Sequence, residues 1–419
     1  MVTYFLPIGI LLSGIFLTTG CQNRASEDNR DQGISQSPTH TNIDLERDFN
    51  KTKELRLSEI VDSIEYIKLE KTPESLIGGS NLPIYITREF IFVYHKNRVL
   101  QFSRNGKFIK QIGRFGKGPG EYQGTRGFAL DELSGILYLI GNFNSEIMKY
   151  DIRSGAYLGS FPVNPDLGSA MLSRSFKMID KNSFALLGSP AAQYTPVYEL
   201  LEIIDNEGSV LSKIKSSLFT GQNAMKRVQF ASGQIWAFQN HIRVFEALND
   251  TVYNIENNIL VPAFIFNQGK YKGPFDVMTT QYVNQITAHP QFITFWETTR
   301  YLFMYFYFDG TKIHLGQFDK LTGEFCRLTG PGGNTIRMYN DIDGGLSFLP
   351  RYLVDNVDDE WCQWYEAIDL KEGLTSEYLK NSEAKHPEKK ERLRKFMNEL
   401  SVEDNPVLMI VKLKRADSE

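Results

Sequence analysis

The sequence lacks the motifs of metal binding and nucleophilic catalysis. Its 419 residues include three cysteines and six widely separated histidines: His40, His95, His241, His289, His314 and His386. HExxH, HxH and CxxC do not occur, so the usual ligand spacings of zinc sites are missing. GxSxG is also missing, and with it a common signature of a serine nucleophile. The sequence therefore predicts no specific catalytic residue, cofactor or metal ligand.

A broad positive field is lacking as well. Lysine and arginine total 46 against 50 acidic residues, which gives a net charge of -4 and a pI near 6.0. Proteins that bind nucleic acid commonly present a basic patch or stripe to the phosphates. We therefore expect no nucleic-acid partner.

Long apolar runs are absent except near the start, in "YFLPIGILLSGIFLTTGC". Its apolar part is shorter than the ~20 residues of a membrane-spanning helix and suits the core of a signal peptide over residues 1–20. The closing Gly20-Cys21 resembles the lipobox of bacterial lipoproteins, which implies acylation of Cys21 and anchoring in the cell envelope, with the outer membrane as the expected location. Two features depart from that pattern, since no Lys or Arg precedes the run and Thr18 replaces the usual Leu. An ordinary secretory signal is the alternative.

The next segment is polar. Residues 21–54 contain few large apolar side chains, so they offer little burial to offset the entropy of ordering. We predict a flexible tether between the membrane and a folded body at residues 55–419.

The body contains short alternating strands at regular intervals. Aromatic residues reach 13%, which favours β structure. Hairpin turns carry Gly106, Gly155, Gly208 and Gly323, separated by 49, 53 and 115 residues. The last interval fits two units if the glycine-free turn near Asn257 serves the unit between. A period of roughly 40–50 residues with four strands is typical of a β-propeller blade, and the length predicts six blades.

The two ends of the body support a closed ring. Asp62–Glu70 and Pro406–Lys414 both alternate as strands, and their pairing would complete the last blade and remove two open sheet edges. A small helical insert, at about residues 376–401, precedes the final strand, with Pro387 in its first turn. The predicted fold is all-β, a six-bladed propeller with this insert.

A glycine-rich stretch, "QIGRFGKGPGEY", lies between two predicted strands. A phosphate-binding loop would need GxxxxGK[ST] or GxGxxG followed by a helix, and neither context exists here. We interpret the stretch as a link between blades that turns the chain.

That link opens a segment that resembles an NHL-type repeat. The matching positions, with Thr125 replacing the usual proline, are Gly116, Gly118, Gly120, Tyr122, Phe128, Asp131, Gly135, Ile147, Tyr150 and Asp151. "GRFGKGPGEY", "NDIDGG", "SFLP" and "NPVLMIVKLK" further resemble a family of exported, NHL/TolB-like six-bladed propeller lipoproteins of Bacteroides-type bacteria. This resemblance implies a fold and a location, and it implies no established activity.

Two other features allow more than one interpretation. Cys326 and Cys362 lie in different predicted strands, and two free thiols are expected, with a disulfide as the alternative. Asp341 and Asp343 precede glycines as in a calcium loop, but Tyr352 stands at the twelfth position, where an EF-hand needs Glu. A tight turn is the expected interpretation, and calcium binding the alternative.

The expected function is a binding or scaffolding module for an extracellular glycan, a peptide or an outer-membrane protein, acting as a monomer. The alternatives are a hydrolase or lyase with its site at the channel mouth, and a purely structural component. Calcium or zinc in the channel, or several acidic side chains converging there, would favour the enzyme. A dry, apolar channel with an exposed aromatic shelf would favour binding. The candidate ligand-contacting residues are Arg114, Lys117, Glu121, Tyr122, Asp341, Asp343, Trp361 and Trp364.

Overall fold

The computed structural model describes most of the chain from residue 40 onward. The described residues are 40–79, 82–141, 145–163, 176–188, 197–220, 233–246, 248–273, 289–309, 312–330, 337–350, 352–353 and 359–414. Strands dominate, and six sheets of four or five strands form a six-bladed β-propeller. The predicted fold class is therefore confirmed.

Each blade is built from strands that follow one another along the chain. Blades 1 to 3 contain β4 Ile84–Ile86, β5 Phe90–His95, β6 Arg98–Ser103 and β7 Phe108–Ile112; β10 Thr125–Asp131, β11 Ile136–Gly141, β12 Glu146–Asp151 and β13 Tyr157–Pro162; and β14 Phe176–Asp180, β15 Ser183–Leu187, β16 Val197–Asp205 and β17 Val210–Thr220. Blades 4 to 6 contain β18 Gln234–Phe238, β19 His241–Phe245, β20 Thr251–Glu256 and β21 Ile259–Asn267; β22 Gln291–Glu297, β23 Tyr301–Tyr307, β24 Ile313–Asp319 and β25 Glu324–Thr329; and β26 Tyr352–Leu353, β27 Glu360–Tyr365, β28 Val407–Leu413 and β3 Val61–Lys68.

The hairpins turn where the sequence places them. Gly106, Gly155, Gly208 and Gly323 all have positive φ, which glycine adopts without steric cost. The turn between β20 and β21 uses Asn257 and Asn258, at φ 49° and 64°. Asparagine tolerates this left-handed conformation, so the turn needs no glycine. Blade 4, with this glycine-free turn, therefore explains the long interval between Gly208 and Gly323.

The core consists of six hydrophobic clusters, one between each pair of neighbouring blades. Alternate side chains on a strand face opposite sides of its sheet, so each blade contributes to two clusters. Trp361, for example, belongs to the cluster between blades 5 and 6, whereas Trp364 belongs to the cluster between blades 6 and 1. A ring closed in this way leaves no blade with an unpacked face.

Strands from opposite ends of the chain complete blade 6. β3 pairs antiparallel with β28, in a register that aligns Val407 with Lys68 and Val411 with Ile64. β26 of the same blade contacts β4 of blade 1. The predicted closure by terminal strands is confirmed.

The segment before β3 corrects the predicted tether. β1 Thr41–Asp44 pairs in parallel with β21, and β2 Thr52–Glu54 pairs in parallel with β25. Short helices at Leu45–Asp48 and Leu57–Ile60 connect these pieces. Residues 41–60, named here the strap, therefore cover the outer edges of blades 4 and 5, and the ordered body starts before residue 55.

Apolar anchors hold the strap in place. Ile43, Leu45 and Phe49 are buried in the cluster between blades 4 and 5, and Leu55 and Leu57 in the cluster between blades 5 and 6. Asp48 is fully buried and pairs with Arg47 and Lys51. These few side chains give the polar segment enough burial to become ordered.

The helical insert begins earlier than expected. Its helices span Ala367–Gly373, Ser376–Asn381 and Pro387–Glu399, and a 3-10 turn lies elsewhere, at Gly269–Tyr271. Pro387 occupies the first turn of its helix, as predicted, and Leu393 and Met397 bury its apolar side. None of the described helices is long and apolar enough to cross a membrane. Cys326 and Cys362 are both free thiols.

Candidate functional site

The glycine-rich link is a compact turn held by its own backbone. Two short parallel strands, β8 Arg114–Phe115 and β9 Glu121–Tyr122, pair within it, and the Glu121 carboxylate accepts a hydrogen bond from Gly118 N–H at 3.0 Å. A Cβ at Gly113 would lie 2.8 Å from the Tyr122 ring and 2.9 Å from the Tyr150 ring. Glycine is needed here for close packing between blades, which explains the motif without a phosphate.

Tyr122 is fully buried under this link. Its hydroxyl donates to Ile112 C=O at 3.1 Å and accepts from Val99 N–H at 2.9 Å, and burial raises its pKa. Tyr122 therefore fixes blade 1 to the link. Arg114 and Lys117 are exposed on the same link, and their contact with a ligand stays a prediction.

Asp341 joins the strap to the helical insert. Its fully buried carboxylate accepts from Ser58 N–H at 2.9 Å and from the Ser58 hydroxyl at 2.6 Å, and it pairs with Lys385 Nζ at 3.1 Å. Burial alone would raise the pKa of Asp341, but these hydrogen bonds and the lysine charge outweigh burial and lower it.

Asp343 lies in the same turn and is engaged by other donors. Its carboxylate accepts from the Asn340 side chain at 2.7 Å and from Gly345 N–H at 2.9 Å, and burial raises its pKa. Both carboxylates of the motif thus accept hydrogen bonds from other groups of the protein, which fits the interpretation as a tight turn. Among the described residues, no group of three His, Cys, Asp or Glu side chains forms a candidate metal site.

Trp361 and Trp364, two of the candidate ligand-contacting residues, are buried rather than exposed. Trp361 is 1% exposed and Trp364 is 7% exposed. The two residues are three apart on β27, so they face opposite sides of blade 6, and each side packs against a neighbouring blade. Neither offers an aromatic shelf to a ligand.

The inner strands of four blades instead line a cavity that opens to solvent at one mouth of the central channel. Its volume is about 260 Å³. The lining residues come from β4, β10, β14 and the hairpin between β18 and β19: Tyr85, Ala129, Leu130, Lys177, Met178, Ile179, Ala237, Phe238, Gln239, Asn240, His241 and Ile242. We name this the channel-mouth cavity.

Contacts between blades determine the shape of the cavity. Leu130 N–H donates to the Tyr85 hydroxyl at 3.2 Å, which joins blade 2 to blade 1. Lys177 of blade 3 extends to blade 1, where its Nζ lies 5.4 Å from the centre of the Tyr85 ring. Gln239 and Asn240 form the β18–β19 turn at φ 46° and 63°, and both are exposed at the mouth.

A buried ionic cluster lies behind one wall of this cavity. Arg243 donates to both carboxylate oxygens of Glu297 at 2.9 Å, and Lys320 Nζ lies 2.8 Å from Glu297 Oε1. Lys320 Nζ also lies 4.5 Å from the centre of the Phe238 ring, whose residue lines the cavity. Two cations therefore share one carboxylate behind the wall.

A second cavity, of about 360 Å³, lies between blades 5 and 6. Glu59 and Ile60 of the strap, the turn around Arg300, and Leu413 with Lys414 line it. Its charged groups are largely engaged, because Glu59 pairs with Lys53 and Arg300 pairs with Asp319. These segments of the strap and of blades 5 and 6 meet because the terminal strands close blade 6.

The residues of the channel-mouth cavity were not predicted as a site. Lys177 and the Gln239–His241 turn come from two separate segments, and they meet because the ring brings blades 3 and 4 together. The sequence offered one signal, since "FQNH" separates two short alternating runs and therefore predicts a turn.

Comparison with solved structures finds several similar chains, of which the first supports the fold. A solved structure described as an exported protein from Bacteroides fragilis NCTC 9343 is similar over 90% of this chain and 100% of its own, with 16% identity and a TM-score of 0.61. A member of the DUF4221 family from Bacteroides vulgatus ATCC 8482 matches over 64% and 84%, with 10% identity and a TM-score of 0.44. BamB from Moraxella catarrhalis matches over 63% and 66%, with 12% identity and a TM-score of 0.37.

Comparison of the sequence itself gives the family. No curated protein matches the chain. A family described as a domain of unknown function, DUF4934, matches residues 40–412, from the start of the strap to the final strand. Because that match covers most of the chain, the protein belongs to the DUF4934 family.

Proposed function

We propose that this protein is an exported, lipid-anchored binding module that holds a small polar ligand, a saccharide unit or a peptide group, in its channel-mouth cavity. Export is supported by the signal-like run that ends at Cys21 and by the description of the Bacteroides fragilis protein of similar fold. Anchoring is supported by the lipobox-like Gly20-Cys21.

The observation that carries the proposal is the convergence of four inner strands on one concave space. Ligand sites are concave, few in number, and equipped with a small set of convergent polar groups. The channel-mouth cavity has these properties, with an ammonium, two amides and an imidazole around a floor of Tyr85, Ala129 and Leu130. Its volume is below the roughly 300 Å³ of the smallest drug-sized pockets, so it suits a single sugar ring or side chain.

The lining favours binding over glycoside hydrolysis. Most glycoside hydrolases need two carboxyl groups on either side of the scissile bond. None of the lining residues that the structure describes is Asp or Glu. The cavity presents polar groups where an exposed aromatic shelf was expected of a binding site. Recognition would therefore depend on hydrogen bonds and charge.

A ligand screen with a blocked cavity tests the proposal. The protein without its first 21 residues would be screened against glycan and peptide arrays, together with the variant Ala237→Trp, which places an indole in the cavity. Ala156→Trp is the matched control, because Ala156 is exposed on the β12–β13 turn. We expect at least one ligand whose binding is lost in Ala237→Trp and kept in Ala156→Trp. Asn240→Ala, on the exposed turn, provides a second variant if the tryptophan prevents folding. Ligands that bind both cavity variants as well as the unaltered protein would refute the proposal.

Anchoring needs its own measurement. In a bacterial host that processes lipoproteins, the full chain should label with radioactive palmitate and sediment with membranes, whereas Cys21→Ala should do neither. Equal labelling of both chains would refute anchoring at Cys21 and leave the binding proposal intact.

A further inference from the structure

Exposed aliphatic side chains recur at the same place in five successive blades. In blades 1 to 5, an aliphatic side chain that is between 40% and 78% exposed lies within three residues of the turn between the third and fourth strands. Single exposed aliphatic residues are common on protein surfaces, but recurrence at one turn of each blade indicates a shared surface. We name as the aliphatic ring the residues Ile109, Leu158, Leu211, Ile259 and Leu321.

The topology places the aliphatic ring on one face of the propeller. Successive strands of a blade are antiparallel, so the first and third turns of every blade lie at the same end. In blade 2, for example, Ile152 N–H of the third turn donates to Gly135 C=O of the first turn at 3.0 Å. Leu133, in that first turn, is fully exposed. We name the face that carries these turns the hairpin face.

Bulges aim three members of the ring outward. Ile109 lies between Phe108 and Lys110, which pair with adjacent residues of β6, so Ile109 is the extra residue of a β-bulge. Leu158 and Leu211 occupy the same position in blades 2 and 3. A bulge redirects a side chain and makes an outer strand a poor partner for an added strand. The ring therefore suits a surface that offers no backbone groups for pairing.

The first strand of the strap begins on the side of the hairpin face. β21 starts at that face with Ile259, and β1 runs parallel to it with Thr41 opposite Phe264. β1 therefore runs away from the hairpin face, and Thr41 is its end nearest that face. Residues 22–40 join this end to Cys21, the proposed site of acylation. A lipid at Cys21 would thus be connected to the body from the hairpin side.

The charges of the hairpin face have both signs. Lys107 and Arg153 are exposed at the third turns of blades 1 and 2, and Glu207 and Glu256 are exposed at those of blades 3 and 4. Attraction to anionic lipids needs a cluster of basic residues, which such mixed turns do not provide. Contact with a bilayer through this face would depend on insertion of apolar side chains between head groups and acyl chains.

We infer that the hairpin face rests on a lipid bilayer, with the aliphatic ring inserted at the boundary between head groups and acyl chains. This inference rests on the anchoring part of the proposed function and names the face that meets the membrane. The Gln239–Asn240 turn is the first turn of blade 4, so the channel-mouth cavity opens on the same face. Its ligand would then be met at the membrane surface.

Vesicle flotation of the protein without residues 1–21 tests the inference in the absence of a lipid anchor. This protein contains every described strand and helix. We expect it to bind vesicles of neutral phosphatidylcholine, with less than about a twofold change when salt rises from about 0.05 M to about 0.5 M. The triple variant Leu158→Ser, Leu211→Ser and Ile259→Ser should bind at least about tenfold more weakly, because it removes half-exposed aliphatic side chains from the ring.

The opposite face provides the matched control. Leu76, Phe115 and Val402 are also about half exposed, and they lie in the links before and after blade 1 and in the connection between β27 and β28. Their triple substitution by serine should leave vesicle binding within about twofold. Failure of the unaltered protein to bind the vesicles, or equal binding by the two triple variants, would overturn the inference. A ring variant that separates a dimer and leaves vesicle binding unchanged would also overturn it, in favour of a contact between two copies.

Depth-dependent quenching tests the orientation of the full, lipidated chain. A fluorophore on Leu158→Cys or on Val402→Cys, each combined with Cys326→Ser, would be exposed to brominated lipids in the vesicle. We expect strong quenching at position 158 and little at position 402. Equal quenching would refute the orientation and leave anchoring at Cys21 intact. If palmitate labelling fails while flotation succeeds, the anchor is wrong and the membrane-facing surface stands.

Discussion

Arg243 and Glu297 face each other across the junction of blades 4 and 5, and both nitrogen-to-oxygen distances between guanidinium and carboxylate are 2.9 Å. Glu297 is fully buried, and Arg243 is 9% exposed. Such bidentate pairs combine strength with fixed geometry. Since Phe238 lies between this pair and the channel-mouth cavity, the pair supports the wall of the candidate site.

Glu297→Gln should therefore destabilise the protein strongly. The variant removes the carboxylate with which the buried Arg243 pairs, and breaking a buried pair in this way typically costs about 3–5 kcal/mol. Urea unfolding measures the loss. Glu324→Gln is the control, because Glu324 pairs with Lys51 at the exposed surface, where such pairs contribute about 0–1 kcal/mol. Equal effects of the two substitutions would contradict a structural role for the cluster.

Asp341→Asn should reduce stability in a manner that depends on pH. The folded-state pKa of Asp341 lies below the unfolded value near 3.9, so its ionised form stabilises the protein above that pH. This contribution is lost as the pH falls through the lowered pKa. At pH 7 we expect a loss of about 1.5–3 kcal/mol, the range for hydrogen bonds to a charged group, shrinking below about pH 4.

Denaturant unfolding of both proteins from pH 3 to pH 7 measures this effect. Asp309→Asn is the control, because Asp309 and its partner Lys312 are both highly exposed and solvent screens their interaction. If the loss of unfolding free energy in Asp341→Asn is the same at every pH in this range, the charge of Asp341 does not hold the strap to the insert.

The strap depends on Phe49. Its ring is 1% exposed and contacts the rings of Tyr271, Phe306, Phe308 and Phe325. Phe49→Ala should cost about 3–5 kcal/mol and increase hydrogen exchange at residues 41–54. Phe115→Ala, at a phenylalanine that is 53% exposed, should change stability little. If Phe49→Ala unfolds no more easily than Phe115→Ala, the strap is not an integral part of the propeller.

The glycine-rich link predicts a further contrast between two glycines. Gly113 has φ +60°, and an added Cβ would meet the rings of Tyr122 and Tyr150 at less than 3 Å. Gly113→Ala should destabilise the protein by about 1–3 kcal/mol through backbone strain and overpacking. Gly78 has ordinary φ and open space around it, so Gly78→Ala should be close to neutral. Similar midpoints for both variants in thermal unfolding would contradict the claim that close packing requires a glycine at position 113.

Much of the fold could be predicted because propeller blades repeat along the chain. Hairpin glycines such as Gly106 and Gly155 recur at blade spacing, and the strands around them alternate. The strap could not be predicted, because β1 and β2 have only four and three residues at sheet edges. Its few apolar anchors, such as Phe49, become informative only when the clusters they enter are known.

The candidate site could not be predicted for a related reason. Alternation shows that Trp361 and Trp364 face opposite sides of a strand, but it does not show that blades cover both sides. Lys177 and Gln239 are separated by more than a blade in sequence, and the closed ring determines their proximity. Asp341 in "NDIDGG" was a candidate ligand residue in the sequence, whereas in the structure its carboxylate joins the strap to the helical insert.

The most direct test is a crystal structure of the protein soaked, at several concentrations, with a ligand that the array screen identifies. We predict that this ligand occupies the channel-mouth cavity, close to the Gln239–Asn240 turn, at the lowest concentration that gives density. Density that appears first elsewhere, such as the cavity lined by Arg300 and Lys414, with the channel mouth holding only water, would contradict it.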